Sequence, residues 1–492
     1  MKKVIIVGAG IAGLSAGIYA RKSGFDVTIV ESHAIPGGNC TAWRRNGYLF
    51  EGGMHWLNGS GPEKSHNKLW KEVGALNEGT KIFNTDPFLV CEYDGKRAAM
   101  HRDVKEFEEH LSAVSPEDIP LIKKMCRDIR RFRGFGIPVR DIPGLKVREK
   151  APGLRKVALK AISLLPRIIA LGRISAGDYA RRFRSPAIRL LLLKTVNPGY
   201  DALSLFFILS CFMSGDGGYI EGGSLKLIQN MADRFVKAGG ILRCNTKANR
   251  VLVKDGRTAG VETKDGIIPA DAVIVAADTL AAVDTLFEAP LHEGWADILR
   301  CRETTLIVNT FISIGVKADL SSLPETMVFP LEKPFEFGGF TINHLNLNNY
   351  APYPEYAPKG CTAITSSISV DTYDYWKNAR EQGAYDQRKR ELFEAVLSRL
   401  EERFPLIKGK AETWDVATPL TYERFCGTYH GSWMTITPPG HRRTIYPSKA
   451  KKIKGLYFAG QRIQPPGGMP VALITGRRAV QYLCRDFGAV FG

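Results

Sequence analysis

Paired cysteines are missing from this chain of 492 residues. Its nine cysteines are an odd number, lie far apart and include no C-x-x-C. That spacing argues against a disulfide framework, a structural zinc and an iron–sulfur cluster, and for a reducing compartment. Long apolar runs are missing too. The longest, Ala202 to Met213, has 12 residues and carries two serines, whereas a transmembrane helix needs about 20. It reads as a core helix lining a cavity. Lys2 and Lys3 precede an apolar stretch, but Gly8, Gly10 and Gly13 break it and no small-residue cleavage site follows, so a secretory signal is rejected. No internal repeat, low-complexity tract, metal-ligand cluster, Ser/His/Asp set or paired-carboxylate arrangement is visible.

Acids are nearly missing from one segment. Between Lys123 and Lys194 there are 20 Lys and Arg and only four acids: Asp128, Asp141, Glu149 and Asp178. That segment holds +16 of the formal net charge of +18. The rest of the chain is close to neutral. Hydrophobic residues make up 44%, which is ordinary globular material, and the length suits two or three structural units around a large core.

What is present begins at the N-terminus. Val4 to Val7 reads as a buried parallel strand, Gly8-x-Gly10-x-x-Gly13 as a turn, Leu14 to Ser23 as a helix, and Val27 to Val30 as the next strand. Gly8 permits the tight turn, Gly10 lets the backbone approach a pyrophosphate, and Gly13 lets the helix pack on the strand. The anion would sit on free N–H groups at the helix N-terminus. Glu31, 18 residues after Gly13, is placed to accept from a ribose 2′-hydroxyl, and its charge repels a 2′-phosphate. Together these features predict dinucleotide binding.

Gly17 extends the pattern, and Gly37-Gly38 follow Glu31. This stretch resembles the N-terminal FAD signature of the flavoprotein superfamily that includes amine oxidases and phytoene desaturases. Many members follow the second glycine pair with a basic residue. Here Asn39 stands there, so a basic phosphate partner would come from elsewhere, with Arg44 or Arg45 as candidates.

The C-terminal stretch Gly455 to Gln461 reads as a strand ending in glycine. The rigid loop Pro465 to Pro470 follows it, and then a helix from Val471 to Arg485. Pro470 suits a first helical turn, where its missing N–H would be free anyway. This segment resembles the C-terminal FAD signature of the phytoene desaturase, carotenoid isomerase and retinol saturase-like family. Glu51-Gly-Gly-Met-His-Trp-Leu-Asn-Gly59 looks like that family's acid-x-Gly-x-His stretch beneath the flavin. Gly222-Gly223-Ser224, Gly239-Gly240 and Asn245 match its central pattern. Asp271 to Ala277 reads as a returning strand.

The resemblance spans essentially the whole chain and implies FAD as cofactor. By carry-over, FAD would lie against Gly8, Gly10, Ile11, Ala12 and Gly13, then Glu31, Ser32, Gly37 and Gly38. It would continue against Gly53, Met54 and His55, with Ala248 and Ala277 along its length. Gly460, Gln461, Gly468, Met469, Pro470 and Val471 would close the flavin end. The implied fold is α/β: a Rossmann-type FAD-binding domain from residues 1–85, 215–300 and 411–492, and an α+β substrate domain from 86–214 and 301–410. Within the latter, Phe311 to Val316 and Thr362 to Val370 alternate as strands, and Tyr385 to Phe404 is helical. The basic segment 123–194 would be a helical lid.

In that lid, Lys156, Lys160, Ser163 and Arg167 fall on one helical face, and Leu154, Ala158, Ala161, Ile162, Leu165 and Ile168 on the other. Pro166 is expected to kink or break the helix. Two readings stay open. The lid is either packed on the core with a solvated basic face, or an interfacial segment on an anionic membrane surface. Nucleic acid is not expected as a partner, because few aromatics and no binding module accompany the charge. The expected location is cytoplasmic, peripheral on the cytoplasmic membrane face if the lid docks.

Flavin N5 gives or takes a hydride, and an apolar substrate pressed against it needs little polar machinery. His55 is the catalytic candidate, with Tyr429 and His430 behind it. No second G-x-G-x-x-G follows a strand, so electrons would pass to or from a diffusible partner: a quinone, oxygen or a redox protein. The expected activity is FAD-dependent desaturation or saturation of carbon–carbon bonds in a lipophilic, isoprenoid, carotenoid or retinoid-like molecule. An amine oxidase-like reaction and a non-catalytic prenyl-binding protein are the alternatives.

Overall fold

The computed structural model describes residues 1–134, 139–148, 155–300, 305–436, 438–440 and 445–492, with the side chains of 155–162 and 305 outside the description. Two sheets organise it. The first has five strands in the order Leu456–Phe458, Ala272–Val275, Lys3–Val7, Asp26–Val30 and Ile241–Arg243. Every pairing in it is parallel. Val4 to Val7 and Ala272 to Val275 are fully buried, as strands covered on both faces must be. The chain leaves Lys3–Val7 toward one neighbour and returns on its other side through Ala272–Val275. This makes the strand's carboxyl end a topological switch point, where open α/β sheets bind ligands.

The second sheet has seven strands in the order Ala411–Ala417, Thr310–Val316, Thr362–Ile368, Phe340–Asn349, Thr326–Phe337, Leu89–Tyr93 and Lys96–Met100. All pairs are antiparallel except Thr326–Phe337 with Leu89–Tyr93. Strand Ala411–Ala417 joins this sheet through Ile312↔Val416, so it lies beyond the division drawn from sequence at residue 411. Period-two alternation sorts its residues. Ile312, Ile314, Met327, Phe329, Leu345, Leu347 and Ile364 pack with Trp376, Leu392, Val396 and Leu400 of two covering helices, Tyr373–Glu381 and Tyr385–Arg403. The other face carries Phe311, Val328, His344, Asn346, Asn348 and Ser367, and these line a cavity.

A helical layer roofs that cavity. Its main pieces are Ile119–Phe132, Pro186–Thr195 and Ala202–Phe212. The apolar run at Ala202 is indeed a core helix, with Phe207, Ile208 and Phe212 on the cavity. Among the described residues no helix is long and apolar enough to cross a membrane.

The lid helix runs Arg155–Gly172 without interruption, so Pro166 does not break it. Its buried side differs from the expected one. Leu164 and Leu171 are buried and Ile168 packs beside them. Arg167 turns inward to pair with Asp128, while Leu165 and Ile169 are 51% and 45% exposed. The buried Asp128 carboxylate needs a cation, and satisfying it rotates the helix. Lys156 and Lys160 lie outside the described side chains.

Candidate active site

The cavity holds about 1460 Å³, above the roughly 300–1,000 Å³ of a pocket for one drug-sized ligand. It runs from the carboxyl end of the parallel sheet to the polar face of the antiparallel one. Two helix N-termini open onto it, where unsatisfied N–H groups and the helix dipole favour an anion.

The first terminus belongs to Ile11–Lys22, capped by Gly10. Gly8 has φ +100°, a left-handed value that favours glycine, and a Cβ on Gly13 would lie 1.9 Å from the Gly8 oxygen. The helix therefore packs directly on the turn. Gly10 differs: its Cβ would meet only the Gly37 oxygen at 3.7 Å, and the space beyond is cavity. Gly10 and Gly37 pair as an isolated bridge, so the two glycine pairs form one cradle.

Glu31 ends the second strand, 7% exposed. One carboxylate oxygen accepts the Ala9 N–H at 2.7 Å, and the other accepts the His33 N–H at 2.9 Å and the Ser32 hydroxyl at 3.2 Å. The remaining lone pairs are available to hydroxyl donors. Asn39 contributes a buried side-chain oxygen with no hydrogen-bond partner among the described residues, an orphaned group of the kind a ligand satisfies. Arg44 and Arg45 do not line the cavity. They end the exposed hairpin strand Ala42–Arg45, and Arg45 pairs with Asp415 at 3.2 Å.

The second terminus opens the C-terminal helix, Gly468–Phe487. Gly460 adopts φ +150° and donates its N–H to Thr475 Oγ1 at 3.0 Å. Gln461 donates to the Trp433 carbonyl and accepts the Gly468 N–H at 3.3 Å. Its amide thus fixes the loop that precedes the helix. Gly468, Met469 and Pro470 line the cavity, as do Ser32, Gly53, Ala248 and Ala277.

Three of the carried-over residues stand apart from the wall: Gly13, Met54 and Val471. Gly13 packs on the Gly8 turn. Met54 is buried, and its N–H is already donated to Glu51 at 3.1 Å and Ser224 Oγ at 2.9 Å. Val471 is fully buried in the core.

His55 projects into the cavity and stacks on Phe311, ring centroids 6.1 Å apart. Protein crowds it, and burial pushes its pKa below the ordinary 6.5 against a weaker opposing pull from Glu51. The imidazole is neutral at physiological pH. Tyr373, His430 and Tyr429 form a continuous stack on the wall, at 4.2 and 4.1 Å. His430 sits at φ 50°, in the left-handed region that histidine adopts more readily than most side chains.

Sequence reasoning missed two features. Arg462 and Asp278 form an ion pair at 2.9 Å, both side chains nearly inaccessible, beside the strand ends. Arg462 also donates to the Ser432 carbonyl at 2.9 Å. Lys194, His344, Asn346 and Asn348 also line the cavity. The alternation of polar residues from His344 to Asn348 was the available signal, but such a pattern ordinarily reads as a solvent face. Asp86, His101 and Glu106 converge as potential metal ligands on the surface, outside the cavity wall.

The sequence pattern of flavin containing amine oxidoreductases matches residues 11–484. The chain is 22% identical to a lycopene-forming phytoene desaturase of Paracoccus sp., over 99% of this chain and 98% of that protein. It is 23% identical to a chloroplastic prolycopene isomerase of an Oncidium hybrid cultivar, over 98% and 84%. The fold is similar to that of cyclohexylamine oxidase from Brevibacterium oxydans, with TM-score 0.62 and 16% identity over 99% of each chain.

Proposed function

This chain belongs to the family of flavin containing amine oxidoreductases, and we propose that it desaturates or saturates carbon–carbon bonds of a lipophilic, isoprenoid-like substrate. It is an FAD-dependent oxidoreductase of the carotenoid desaturase and isomerase type. Bound FAD supplies the hydride acceptor or donor. The Gly8–Ala12 turn and its helix N-terminus would hold the pyrophosphate, Glu31 the ribose hydroxyls, and Gln461 with Gly468–Pro470 the flavin end.

The observation that carries the reading is the wall opposite the polar sheet. Leu190, Leu193, Phe207, Ile208 and Phe212 line the cavity from the helical side, and His55 lines it as well. Such a wall excludes water and orients a hydrocarbon chain. His55, neutral and stacked on Phe311, is placed to hold or take up a proton at its ring nitrogen. The relatives named for phytoene and prolycopene chemistry support the same class of substrate.

An amine substrate is disfavoured by the Lys194 ammonium in that compartment. Glu325, an acid on the cavity wall, already accepts from Tyr353 and Thr85. Electrons would be exchanged with a quinone, oxygen or a redox protein. The lid would dock reversibly on an anionic membrane surface through Leu165 and Ile169, with exposed Arg173, Arg181, Arg182 and Arg184 on the same segment.

Anaerobic photoreduction followed by mixing with polyenes, enones and quinones tests the function. Reoxidation by a conjugated isoprenoid or a quinone is the expected result. A reduced flavin indifferent to all of them but reoxidised in the presence of amine-derived imines would overturn it.

A further inference from the structure

The two sides of the substrate compartment do not match. The helical side is largely apolar, with Lys194 and Ser204 as polar exceptions, whereas the sheet side is mostly polar. His344, Asn346 and Asn348 alternate along one strand, Thr326 stands beside them, and Ser367 on the next strand and Ser369 just past its end also line the cavity. A pure hydrocarbon offers nothing to these groups, and water left among them would have to be removed with every substrate that binds.

Lys194 sharpens the point. It lies in the last turn of Pro186–Thr195, lines the cavity, and has no acceptor or ion-pair partner among the described residues. A lysine near a helix C-terminus is commonplace, since the dipole favours a cation there. Such a lysine ordinarily reaches water or the last carbonyls. Lys194 is exposed, and it lies on the cavity wall. The two groups that interact with it electrostatically are the buried Cys91 thiol and His344; neither is a counter-ion. Burial and Lys194 both push the His344 pKa down.

His344 is itself half-satisfied. Its Nδ1 lies 2.6 Å from the Asn343 side-chain oxygen, and its Nε2 is buried without a partner. Asn346 uses its oxygen to accept the Ser367 N–H at 2.8 Å. The carboxamide nitrogen is left with no acceptor among the described residues. An ammonium, a ring nitrogen and an amide nitrogen thus share one end of the cavity, all short of a partner.

We propose that this end seats an anionic head group, a carboxylate or phosphate terminating the lipophilic chain, with Lys194 as its counter-ion and His344 and Asn346 as polar walls. The inference rests on the reading of the cavity as a site for isoprenoid-like chains, and it narrows that class to amphiphiles. The chain lies along Leu193, Phe207 and Phe212 toward His55, and the head group holds it in register. A charged hydrogen bond of this kind contributes about 1.5–3 kcal/mol, which is about 10- to 100-fold in affinity.

The test measures binding to oxidised holoenzyme, by perturbation of the flavin absorbance and by equilibrium dialysis, with three matched probes. These are geranylgeranoic acid, geranylgeranyl monophosphate and geranylgeraniol. At least one anion should bind about 10- to 100-fold more tightly than the alcohol, and which one does so identifies the head group. Lys194→Met should remove that preference while leaving the alcohol's affinity within about threefold, and Lys194→Arg should keep it. Equal binding of all three probes to the wild-type enzyme overturns the proposal, as does no binding at all. A preference that survives Lys194→Met, or a parallel loss of all three, also overturns it. Because no turnover is involved, these results are separate from failure of the reduced flavin to react with isoprenoids.

Discussion

The carboxylate of Glu51 accepts the backbone N–H of Ser224 at 3.0 Å, joining two motifs 173 residues apart. The same oxygen lies 2.9 Å from the Tyr219 hydroxyl and 3.1 Å from that of Tyr356, and the two hydroxyls bond each other at 2.5 Å, so one of their two protons is shared between them and the other goes to Glu51. Its partner oxygen takes the N–H groups of Gly53 at 2.9 Å and Met54 at 3.1 Å. Burial pushes both phenols up in pKa, so they remain protonated donors. Three backbone N–H groups and one hydroxyl proton converge on one buried acid, and the turn they fix is the one that presents His55.

Glu51→Gln follows directly from this geometry. An amide nitrogen would replace one acceptor and face donors, losing at least two of the four hydrogen bonds. The expected cost is about 2–4 kcal/mol of stability, together with loss of flavin on gel filtration. Thermal melts and the ratio of flavin to protein absorbance measure both. An unchanged melt with full flavin would show that the network does not hold the turn.

The glycines of the first turn separate folding from cofactor binding. Gly13→Ala places a methyl 1.9 Å from the Gly8 oxygen, so the helix must shift, at a cost of about 1–3 kcal/mol. Gly10 has φ −72°, which alanine adopts freely, and its methyl would enter the cradle. Gly10→Ala should therefore melt within about 0.5 kcal/mol of wild type while binding FAD at least about tenfold more weakly. Equal flavin affinity in Gly10→Ala would remove that glycine from the phosphate site.

Much of the first sheet was legible because its signals are local. A strand, three glycines, a helix and an acid at the next strand end lie within 31 residues, and each has one structural use. The cavity wall was harder to read. Arg167 was assigned to a solvent face because helical periodicity knows nothing of Asp128, 39 positions earlier. His344, Asn346 and Asn348 have the alternation of a half-exposed strand, and the pattern is the same whether the polar face meets bulk water or an internal cavity. What decides between these is the roof formed by Pro186–Thr195 and Ala202–Phe212, a contact between segments more than a hundred residues apart.

His55 gives a prediction with a pH signature. If its neutral ring takes up a proton during turnover, His55→Ala should keep the flavin spectrum and lose activity by about 100-fold or more. The sign follows from its pKa, which lies below 6.5. The wild-type rate should be flat near neutrality and fall only as acid charges the ring, below about pH 6.5. That limb should vanish from any residual activity of the variant. A variant with wild-type turnover would leave His55 as packing against Phe311.

The lid makes the last prediction, and it depends on which side of the helix faces out. Leu165 and Ile169 occupy one exposed stripe, a turn apart, with Pro166 and Ala170 exposed beside them. Burying the exposed half of each side chain in a headgroup boundary gains about 0.7–1.5 kcal/mol, and each nearby arginine adds about 1 kcal/mol on an anionic surface. The wild-type protein should sediment with liposomes containing anionic lipid, less so with purely zwitterionic ones, and less again as salt rises. Leu165→Glu with Ile169→Glu should abolish sedimentation without lowering the melting temperature, because neither side chain contributes to the core. If the double variant sediments as the wild type does, Leu165 and Ile169 are not the docking face, and if the wild type itself stays in solution with anionic liposomes, the basic lid is a solvated surface.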